Sequence, residues 1–438
     1  MSTARDLIRT NVAPQSGLIF NSDFRNSYFT PKGWAKSTNY STQKQEIQPI
    51  NPGNDSFGAT VEFRPPRTYD YLGFCALQIP FSVITPGTGY SYYRFVDYVG
   101  VHVVNYIQIS HVSNVIARLD SNTILPRYLL HADRRRRTHW DRLMLGNLST
   151  ADRQILARGG QVALLPLDGL FWFTYGVSSF TPVLILSHEL RIEVVFNTLP
   201  TVLQSDHTGG TPSCSITTQT LEGVQHPLAL VFTSCHVTGD ERNWQTANYE
   251  GKGILQPFKE FKQQPRITIQ PNTSGIVPLK LTSLRDQTSE IYWIARRASD
   301  VNTPYANDPN KRLNYVSVSF TGNNGEMVPL HTQKFNDLRL REQYHSSDTS
   351  PTDNVGFIPY CWIPEDPVNC TGSINIGNLH DPTLNLNIGT TAGDSEIFDA
   401  LNGTSIDGSP ADAVVVDVFS DNFNWLHFVG GDVNRTFN

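Results

Sequence analysis

Of all parts of the sequence, the stretch from Gly159 to Asn197 places the strongest constraint on the fold. It holds two apolar runs with an aromatic cluster between them, and it closes on a segment of alternating apolar and polar residues. An alternation of period two is typical of a strand buried on one face, and it argues against a helix. The cluster around Phe171, Trp172 and Phe173 is too short to span a membrane and is followed by glycine and serine. We therefore expect the stretch to be buried against other strands or against a neighbouring subunit.

Short strand patterns of this kind recur along the chain and fall into two successive sets. The first set runs from Ala59 to Val237 and the second from Phe258 to Val429. Glycine, proline, asparagine and aspartate separate the individual patterns, as expected for turns between strands. Each set contains roughly eight short strands, the number found in a jelly-roll sandwich. The sequence therefore predicts an all-β fold of two consecutive eight-stranded jelly-roll β-sandwiches with short helical inserts.

The boundaries of these units follow from changes in composition. Residues 1–55 are polar and rich in Asn, Ser and Thr, so we expect an irregular N-terminal arm. The first jelly roll is expected over residues 56–240 and the second over 241–438, with a polar junction between them. The region from Val99 to Ile109 alternates and is expected to be a strand. A helical section is expected over residues 123–147, and Ser149 is expected to cap a short helix that follows it.

The composition favours a chain that is largely covered by other copies of itself. Charged residues make up 17% of the sequence, below the usual share of about 25%. The net charge of −6 and a pI near 6.0 give no sign of a nucleic-acid-binding protein. The five cysteines contain no C-x-x-C pair, which favours folding in a reducing compartment. The first residues lack the apolar core of a signal peptide.

Four consecutive arginines form the sharpest charge feature of the sequence: Arg134, Arg135, Arg136 and Arg137. Such a run can contact phosphate groups or an acidic partner. In a chain with negative net charge it is more typical of a solvated helix face or of a salt-bridge patch between subunits. We expect this run near the base of a lobe or at a subunit contact.

No motif of a catalytic or cofactor-binding site is complete. His188 and Glu189 open like a zinc-protease motif, but Ile192 stands where the second histidine is needed. The histidines contain no His-x-His pair, and no phosphate-binding glycine loop is present. A pair of carboxylates for glycoside hydrolysis could be brought together only by the fold, and nothing in the sequence selects one. We therefore expect no catalysis, no cofactor and no bound metal.

A series of motifs follows one order along the chain. They are Leu164–Leu167, Leu170–Phe173, Pro182–Ile192, Thr238–Arg242, Ser317–Gly325 followed by Phe335, Ile363–Pro367, Thr371 with Gly372, and Leu384–Ile388. In this order and spacing they resemble the double-jelly-roll major capsid proteins of nucleocytoplasmic large DNA viruses, of the iridovirus and phycodnavirus type. The resemblance runs from near Pro65 to near Gly431, almost the whole chain.

The resemblance implies a structural protein without catalysis. Proteins of this kind form pseudo-hexameric trimeric capsomers, which tile the icosahedral shell of a large DNA virus. The implied partners are other copies of the chain, first as a homotrimer and then between capsomers, together with minor capsid and penton proteins. An inner viral membrane is a further candidate partner, and direct nucleic-acid binding is not expected. The implied location is the virion, with assembly in the host cell cytoplasm. The aromatic cluster is then expected under the helical insert at residues 123–157 or between the lobes.

Two other functions stay open at this point. A carbohydrate-binding or carbohydrate-cleaving β-sandwich protein could stack sugars on aromatic residues such as Tyr90, Tyr92, Tyr93 and Trp362. A minor capsid or scaffold component would share the fold and the N-terminal arm with the main shell protein. Binding to glycans as a monomer would favour the first of these functions.

Overall fold

The protein, seen here as a computed structural model, is built mainly of antiparallel strands. The structure describes residues 40–51, 56–85, 93–131, 134–167, 181–183, 186–205, 212–239, 242, 243, 247, 253–301, 311–323, 325–344, 354–360 and 372–436. The strands of the first lobe are β1 (Tyr40–Ile47), β2 (Thr60–Phe63), β3 (Tyr71–Phe81), β4 (Tyr93–Phe95), β5 (Val104–His111), β6 (Asn114–Asp120), β7 (Gln161–Pro166), β8 (Thr181–Pro182), β9 (Leu190–Phe196), β10 (Leu203–Ser205), β11 (Gln219–Leu221), β12 (Val224–His226) and β13 (Ala229–Val237). Those of the second lobe are β14 (Ile254–Gln263), β15 (Ile267–Ile269), β16 (Ile276–Lys280), β17 (Gln287–Arg297), β18 (Ser317–Gly322), β19 (Gly325–Thr332), β20 (Gly356–Pro359), β21 (Ile374–Asn375), β22 (Thr383–Asn387), β23 (Val414–Val429) and β24 (Asp432–Arg435).

The first lobe contains two main sheets. Sheet 1 has the strand order β1-β13-β3-β7, with β8 also paired to β3, and sheet 2 has the order β2-β9-β5-β6. The short strands β4 and β10 pair with each other, as do β11 and β12. Sequence neighbours such as β1 and β2 therefore lie in different sheets, so the chain crosses repeatedly from one layer of the sandwich to the other.

The second lobe repeats this arrangement strand for strand. Sheet 3 has the order β14-β23-β17-β20, and sheet 4 has the order β16-β22-β18-β19. If the eight principal strands of each lobe are numbered in chain order, both lobes pair them as 1-8-3-6 and 2-7-4-5. Two four-stranded antiparallel sheets connected in this way form a jelly roll. The prediction of two consecutive jelly rolls is confirmed.

Each lobe has its own hydrophobic core between its two sheets. On β9 the alternation predicted from the sequence is observed: Ile192 and Val194 are fully buried, whereas Val195 is half-buried on the opposite side. This strand joins the first core, and Trp293, Phe320 and Val416 belong to the core of the second lobe. The period-two pattern thus identified a strand with one core-facing side.

Helices lie mainly in the connections between strands. They are Val99–His102, Ser121–His131, Arg134–Leu143, Thr150–Arg158, Leu199–Val202, Gln333–Phe335 continued by Asn336–Leu340 and Arg341–Tyr344, and Glu396–Asn402. The predicted helical section is present as the long connection from β6 to β7. The hydroxyl of Ser149 accepts a hydrogen bond of 3.2 Å from the backbone N–H of Asp152, which confirms the predicted cap.

Two expectations from the sequence are corrected by the structure. The alternating region that begins at Val99 starts as a helical turn, Val99–His102, and becomes β5 only at Val104. All four residues of this turn are buried, so the apolar side chains of Val99 and Val101 reflect burial on every side and not a strand. The segment expected to be an irregular arm contains β1, which pairs along its full length with β13. The first sheet therefore begins at Tyr40 and not after residue 55. The proposed division at residue 240 lies between β13 and β14.

Candidate assembly interface

The site residues proposed from the sequence are only partly within the described part of the chain. Phe171, Trp172 and Phe173 lie outside the described residues, so their packing remains a prediction. The arginine run forms the first turn of the helix Arg134–Leu143, but the side chains of its four arginines are also outside the description. Their role at a subunit contact remains a prediction as well.

The helix Arg134–Leu143 is held on the first lobe through its C-terminal half. The ring of Trp140 packs edge-on against that of Tyr128, with 4.2 Å between the ring centroids. One residue further, the carboxylate of Asp141 accepts a hydrogen bond of 2.9 Å from the hydroxyl of Tyr98. The helix Arg134–Leu143 is therefore anchored on the first lobe, and neighbouring parts of the same insert, such as Leu129 and Met144, contribute to the first hydrophobic core.

The second lobe presents a buried sheet face to the first lobe. On β23, Val416 and Val418 point into the core. Side chains alternate along a strand, so the odd-numbered positions Asp417, Phe419 and Asp421 point to the opposite face of sheet 3. These three residues are nevertheless fully buried. A sheet that is buried on both faces must be covered by another element on its outer side.

The helix Ser121–His131 of the first lobe covers this face. Its Leu130 belongs to a buried cluster with Tyr292, Ile294, Val355, Phe357 and Phe419 of the second lobe. Within that cluster the rings of Tyr292 and Phe419 stack with 5.2 Å between their centroids. The guanidinium of Arg127 lies over the ring of Phe261, 3.9 Å from its centroid. The two lobes are thus joined by a contact that has a packed apolar centre.

Two buried aspartates of β23 carry the electrostatics of the contact. Arg127 Nε lies 3.4 Å from Asp421 Oδ2, with 9% and 0% of the two side chains exposed. Burial raises the pKa of Asp421, and Arg127 acts against that rise. Asp417 is bound by Arg296, which is equally buried, and by Arg266 at 2.9 Å. Asp417 and its two arginines all belong to the second lobe, whereas the pair of Arg127 and Asp421 joins the two lobes. Breaking a buried pair on one side leaves an uncompensated charge, so the pair of Arg127 and Asp421 favours one relative position of the lobes.

A second group of contacts joins the C-terminal hairpin of β23 and β24 to the first lobe. Asn114 on β6 donates hydrogen bonds to the carbonyl of Val433 at 3.0 Å and to Asn434 Oδ1 at 2.8 Å. His111 Nδ1 lies 3.4 Å from Asp432 Oδ1. Strand β6 therefore lies against β24 and β14 at the edge of sheet 3.

His102 occupies a buried position on the first-lobe side, within the electrostatic influence of the second lobe. Its imidazole nitrogens have no hydrogen-bond partner among the described residues. Burial, together with the positive charges of Arg312 and Arg296, lowers the pKa of His102 to about 3. The side chain is therefore neutral at physiological pH and adds no further positive charge to the arginines.

The described residues offer little for chemistry. They contain no group of three or more His, Cys, Asp and Glu side chains placed to hold a metal ion. Within the described part of the chain, Cys75, Cys214 and Cys235 are not joined in disulfide bonds. A cavity of about 350 Å³ is lined by Arg64, Arg67, Val112, His188, Glu189 and Arg191.

Two of the three arginines of that cavity form ion pairs with carboxylates, and the third, Arg67, donates a hydrogen bond to the carbonyl of Leu186. Arg191 contacts Glu62 at 2.8 Å and Glu193 at 2.7 Å, and Arg64 also contacts Glu62. Among the aromatics considered for sugar binding, Tyr93 is half-buried in β4 against the first core, and the other three lie outside the described residues. Across the described helices, none is long and apolar enough to cross a membrane.

Comparison with known proteins shows which solved structures share this fold. No family model and no curated protein matches the sequence. The VP54 protein of PBCV-1 superposes with a TM-score of 0.69 and 12% identity, covering 94% of this chain and 100% of that one. The Faustovirus major capsid protein gives a TM-score of 0.67 at 10% identity, with 97% of each chain covered. The mavirus major capsid protein gives 0.53 at 10% identity, covering 97% of this chain and 94% of that one. The chain has the double-jelly-roll fold of these proteins over nearly its whole length.

Proposed function

We propose that this chain is the major building block of an icosahedral viral shell. The observation that carries the proposal is the doubled jelly roll itself, which matches viral major capsid proteins in both lobes and leaves almost none of the chain unmatched. The proposed role is structural, without catalysis, and we propose that the shell belongs to a large DNA virus.

The doubled strand order supports assembly as a trimer. Two lobes of the same topology give one chain two similar outer sides, so a ring of three chains has six similar sides. Contacts in such a ring are heterologous, because the second lobe of one chain meets the first lobe of the next. A pseudo-hexagonal unit of this kind can tile a shell by repeating one lateral contact between capsomers.

Further partners belong to the same proposal. We propose contacts between neighbouring capsomers and with minor capsid and penton proteins, a position in the capsid shell of the virion, and an inner viral membrane as a further partner. Assembly is proposed to take place in the host cell cytoplasm, and direct nucleic-acid binding is not part of the proposal. The acidic net charge of −6 agrees with a shell protein that does not hold nucleic acid.

Sedimentation and negative-stain imaging of the purified chain test the proposal. We expect particles of three times the 49.0 kDa chain mass, with a hexagonal outline. A stable monomer at all concentrations, with affinity for glycans on an array, would instead favour the carbohydrate-binding function. A trimer found only at rare positions of the assembled shell would favour the minor capsid component.

The arginine run at residues 134–137 is proposed as part of a subunit contact. Replacing Arg134, Arg135, Arg136 and Arg137 together with serine is then expected to lower the yield of trimers or of assembled shells. An unchanged yield of both would remove this run from the proposed interface.

A further inference from the structure

The fifth principal strand of each lobe runs directly into a helix. In the first lobe β6 ends at Asp120 and the helix Ser121–His131 begins at the next residue. In the second lobe β19 ends at Thr332 and a helical segment begins at Gln333. Because the lobes share one strand order, these two strand–helix units occupy equivalent places in their sandwiches.

The two units differ in what covers them. The first-lobe unit packs on the outer face of sheet 3 through Leu130, which is fully buried there, whereas Leu125 and Leu129 of the same helix are buried in the first core. The second-lobe unit presents apolar side chains to solvent instead. They are Met327 (41% exposed), Leu330 (57%), Phe335 (41%) and Leu338 (50%), which together we call the β19 surface. Phe335 and Leu338 are three positions apart in the helical segment and therefore neighbour each other. Exposed apolar side chains that adjoin in this way are typical of a site of protein association.

The helical part of the β19 surface is held rigidly by its own lobe. Asn336 is fully buried, donates a hydrogen bond of 2.6 Å to the carbonyl of Phe357, and accepts one of 3.3 Å from the N–H of the same residue. The hydroxyl of Thr332 accepts a hydrogen bond of 3.3 Å from the N–H of Phe335. These bonds hold Phe335 and Leu338 in their outward positions before any partner binds, which reduces the entropy lost on association.

Sheet 1 has an outer face that suits this surface. Leu230 and Phe232 of β13 point into the first core, so Val231 and Thr233 between them face outward and are half-buried. Ala76 of β3 is paired with Val231 and lies on the same face. These side chains are small, and the exposed Glu46 and Lys44 of β1, which are paired with Val231 and Thr233, flank them on the same face. Sheet 1 occupies in its lobe the place that sheet 3 occupies in the other.

We infer that the β19 surface binds the outer face of sheet 1 of a second copy of this chain. The contact would repeat between chains what β6 and its helix do with sheet 3 within one chain. The inference rests on the proposed function, which requires like copies to associate, and it adds the two surfaces that meet. Because the surfaces are unlike, the contact is heterologous and can propagate around a closed ring.

Charge substitutions on both surfaces test the inference by sedimentation velocity. Leu338→Glu and Thr233→Arg are each expected to raise the concentration at half-assembly by about tenfold or more, since each puts a charge into an apolar contact. The matched controls are Ile406→Glu and Thr220→Arg, at exposed positions outside both surfaces, and they are expected to assemble as the unmodified chain does. Equal thermal unfolding of the variants as monomers would exclude misfolding as the cause.

Cross-linking then identifies the partner face. A photo-reactive phenylalanine analogue at position 338 is expected to cross-link to β1, β13 or β3 of another copy, shown by mixing isotope-labelled and unlabelled chains. Trimers that form normally with Leu338→Glu, or cross-links that map to another surface, would overturn the inference and leave the proposed function standing. An unmodified chain that stays monomeric would overturn the proposed function, and the inference with it.

Discussion

The ion pair between Arg127 and Asp421 offers the sharpest test of how the lobes are held together. Replacing Arg127 with Met keeps an unbranched apolar stem but removes the guanidinium group, whose Nε lies 3.4 Å from a fully buried carboxylate. Breaking a buried pair in this way costs about 3–5 kcal/mol. Lys259 also lowers the pKa of Asp421, so we expect the loss at the lower end of that range. For a lobe of this size the loss corresponds to a fall in Tm of roughly 6–20 °C.

The pH dependence of this loss distinguishes charge from packing. Burial raises the pKa of Asp421 in the folded state, and Arg127 opposes that rise, so Arg127→Met raises the folded pKa further. An acid with a higher pKa in the folded state binds its proton more tightly there. The contribution of Asp421 to the stability of the folded state therefore becomes more unfavourable as the pH rises above the pKa of the unfolded state, about 3.9. The destabilisation by Arg127→Met should be greatest at neutral pH and should shrink as the pH falls toward 4.

Urea unfolding of Arg127→Met, Asp421→Asn and the double variant, at pH 7 and pH 5, measures the effect. The double variant should be more stable than Arg127→Met alone, because it no longer buries an unmatched charge, with a coupling energy of about 0.5–3 kcal/mol. Arg118→Met is the matched control: Arg118 also lies over an aromatic ring and beside an aspartate, but it is 51% exposed, so its loss should stay below about 1 kcal/mol. A double variant no more stable than Arg127→Met, with the same loss at both pH values, would show that Arg127 acts only by packing on Phe261.

Three further predictions concern single residues. Ser149→Ala removes the cap on the N–H of Asp152 and should cost about 1 kcal/mol in urea unfolding, whereas Ser149→Asp should cost little. Gly356→Ala would place a methyl group 2.2 Å from the buried ring of Trp293, so a loss of about 1–3 kcal/mol or more is expected, visible as a lower urea midpoint. His102 has a folded pKa of about 3, below its unfolded value, so the unfolded state gains a proton as the pH falls below 6.5. Stability should drop by about 1.4 kcal/mol per pH unit in that range, and His102→Gln should flatten the slope.

Local signals in the sequence predicted those elements whose structure is determined locally. The alternation of β9 and the cap at Ser149 each depend on residues within one strand or one turn, and both are confirmed. Strand β1 was missed because its sequence, YSTQKQEI, is polar and lacks a period. It is a strand because β13 offers it a full row of backbone partners at the edge of sheet 1. A pairing of this kind joins residues nearly 200 positions apart and leaves no local trace.

One feature of the sequence indicates the contact between the lobes, although it was not used in the prediction of the fold. Asp417 and Asp421 stand within VVVDVFSDNF, an otherwise apolar strand, at positions that share one face. Charged residues on one face of an apolar strand indicate either that this face is exposed to solvent or that it is buried against residues of opposite charge. Only the position of the helix Ser121–His131 decides between the two, and that position depends on how the lobes pack. The motif series suggested the correct fold, whereas the contact required the structure.

The two lobes share one strand order, but the outer faces of sheet 1 and sheet 3 differ in charge. Each face therefore favours a different strand–helix unit packed against it. The outer face of sheet 3 buries Asp421 and Glu290, so a covering element must bring a cation, as Arg127 does. The corresponding face of sheet 1 has small side chains around Val231, and its neighbouring charges, Lys44 and Glu46, are exposed, so an apolar cover such as Leu338 buries no unmatched charge there. Exchanging the two covers would leave the buried Asp421 opposite a leucine, a cost of several kcal/mol. The contact within a chain and the proposed contact between chains are therefore not interchangeable, although their topology is the same, and the ring can be built in only one sense.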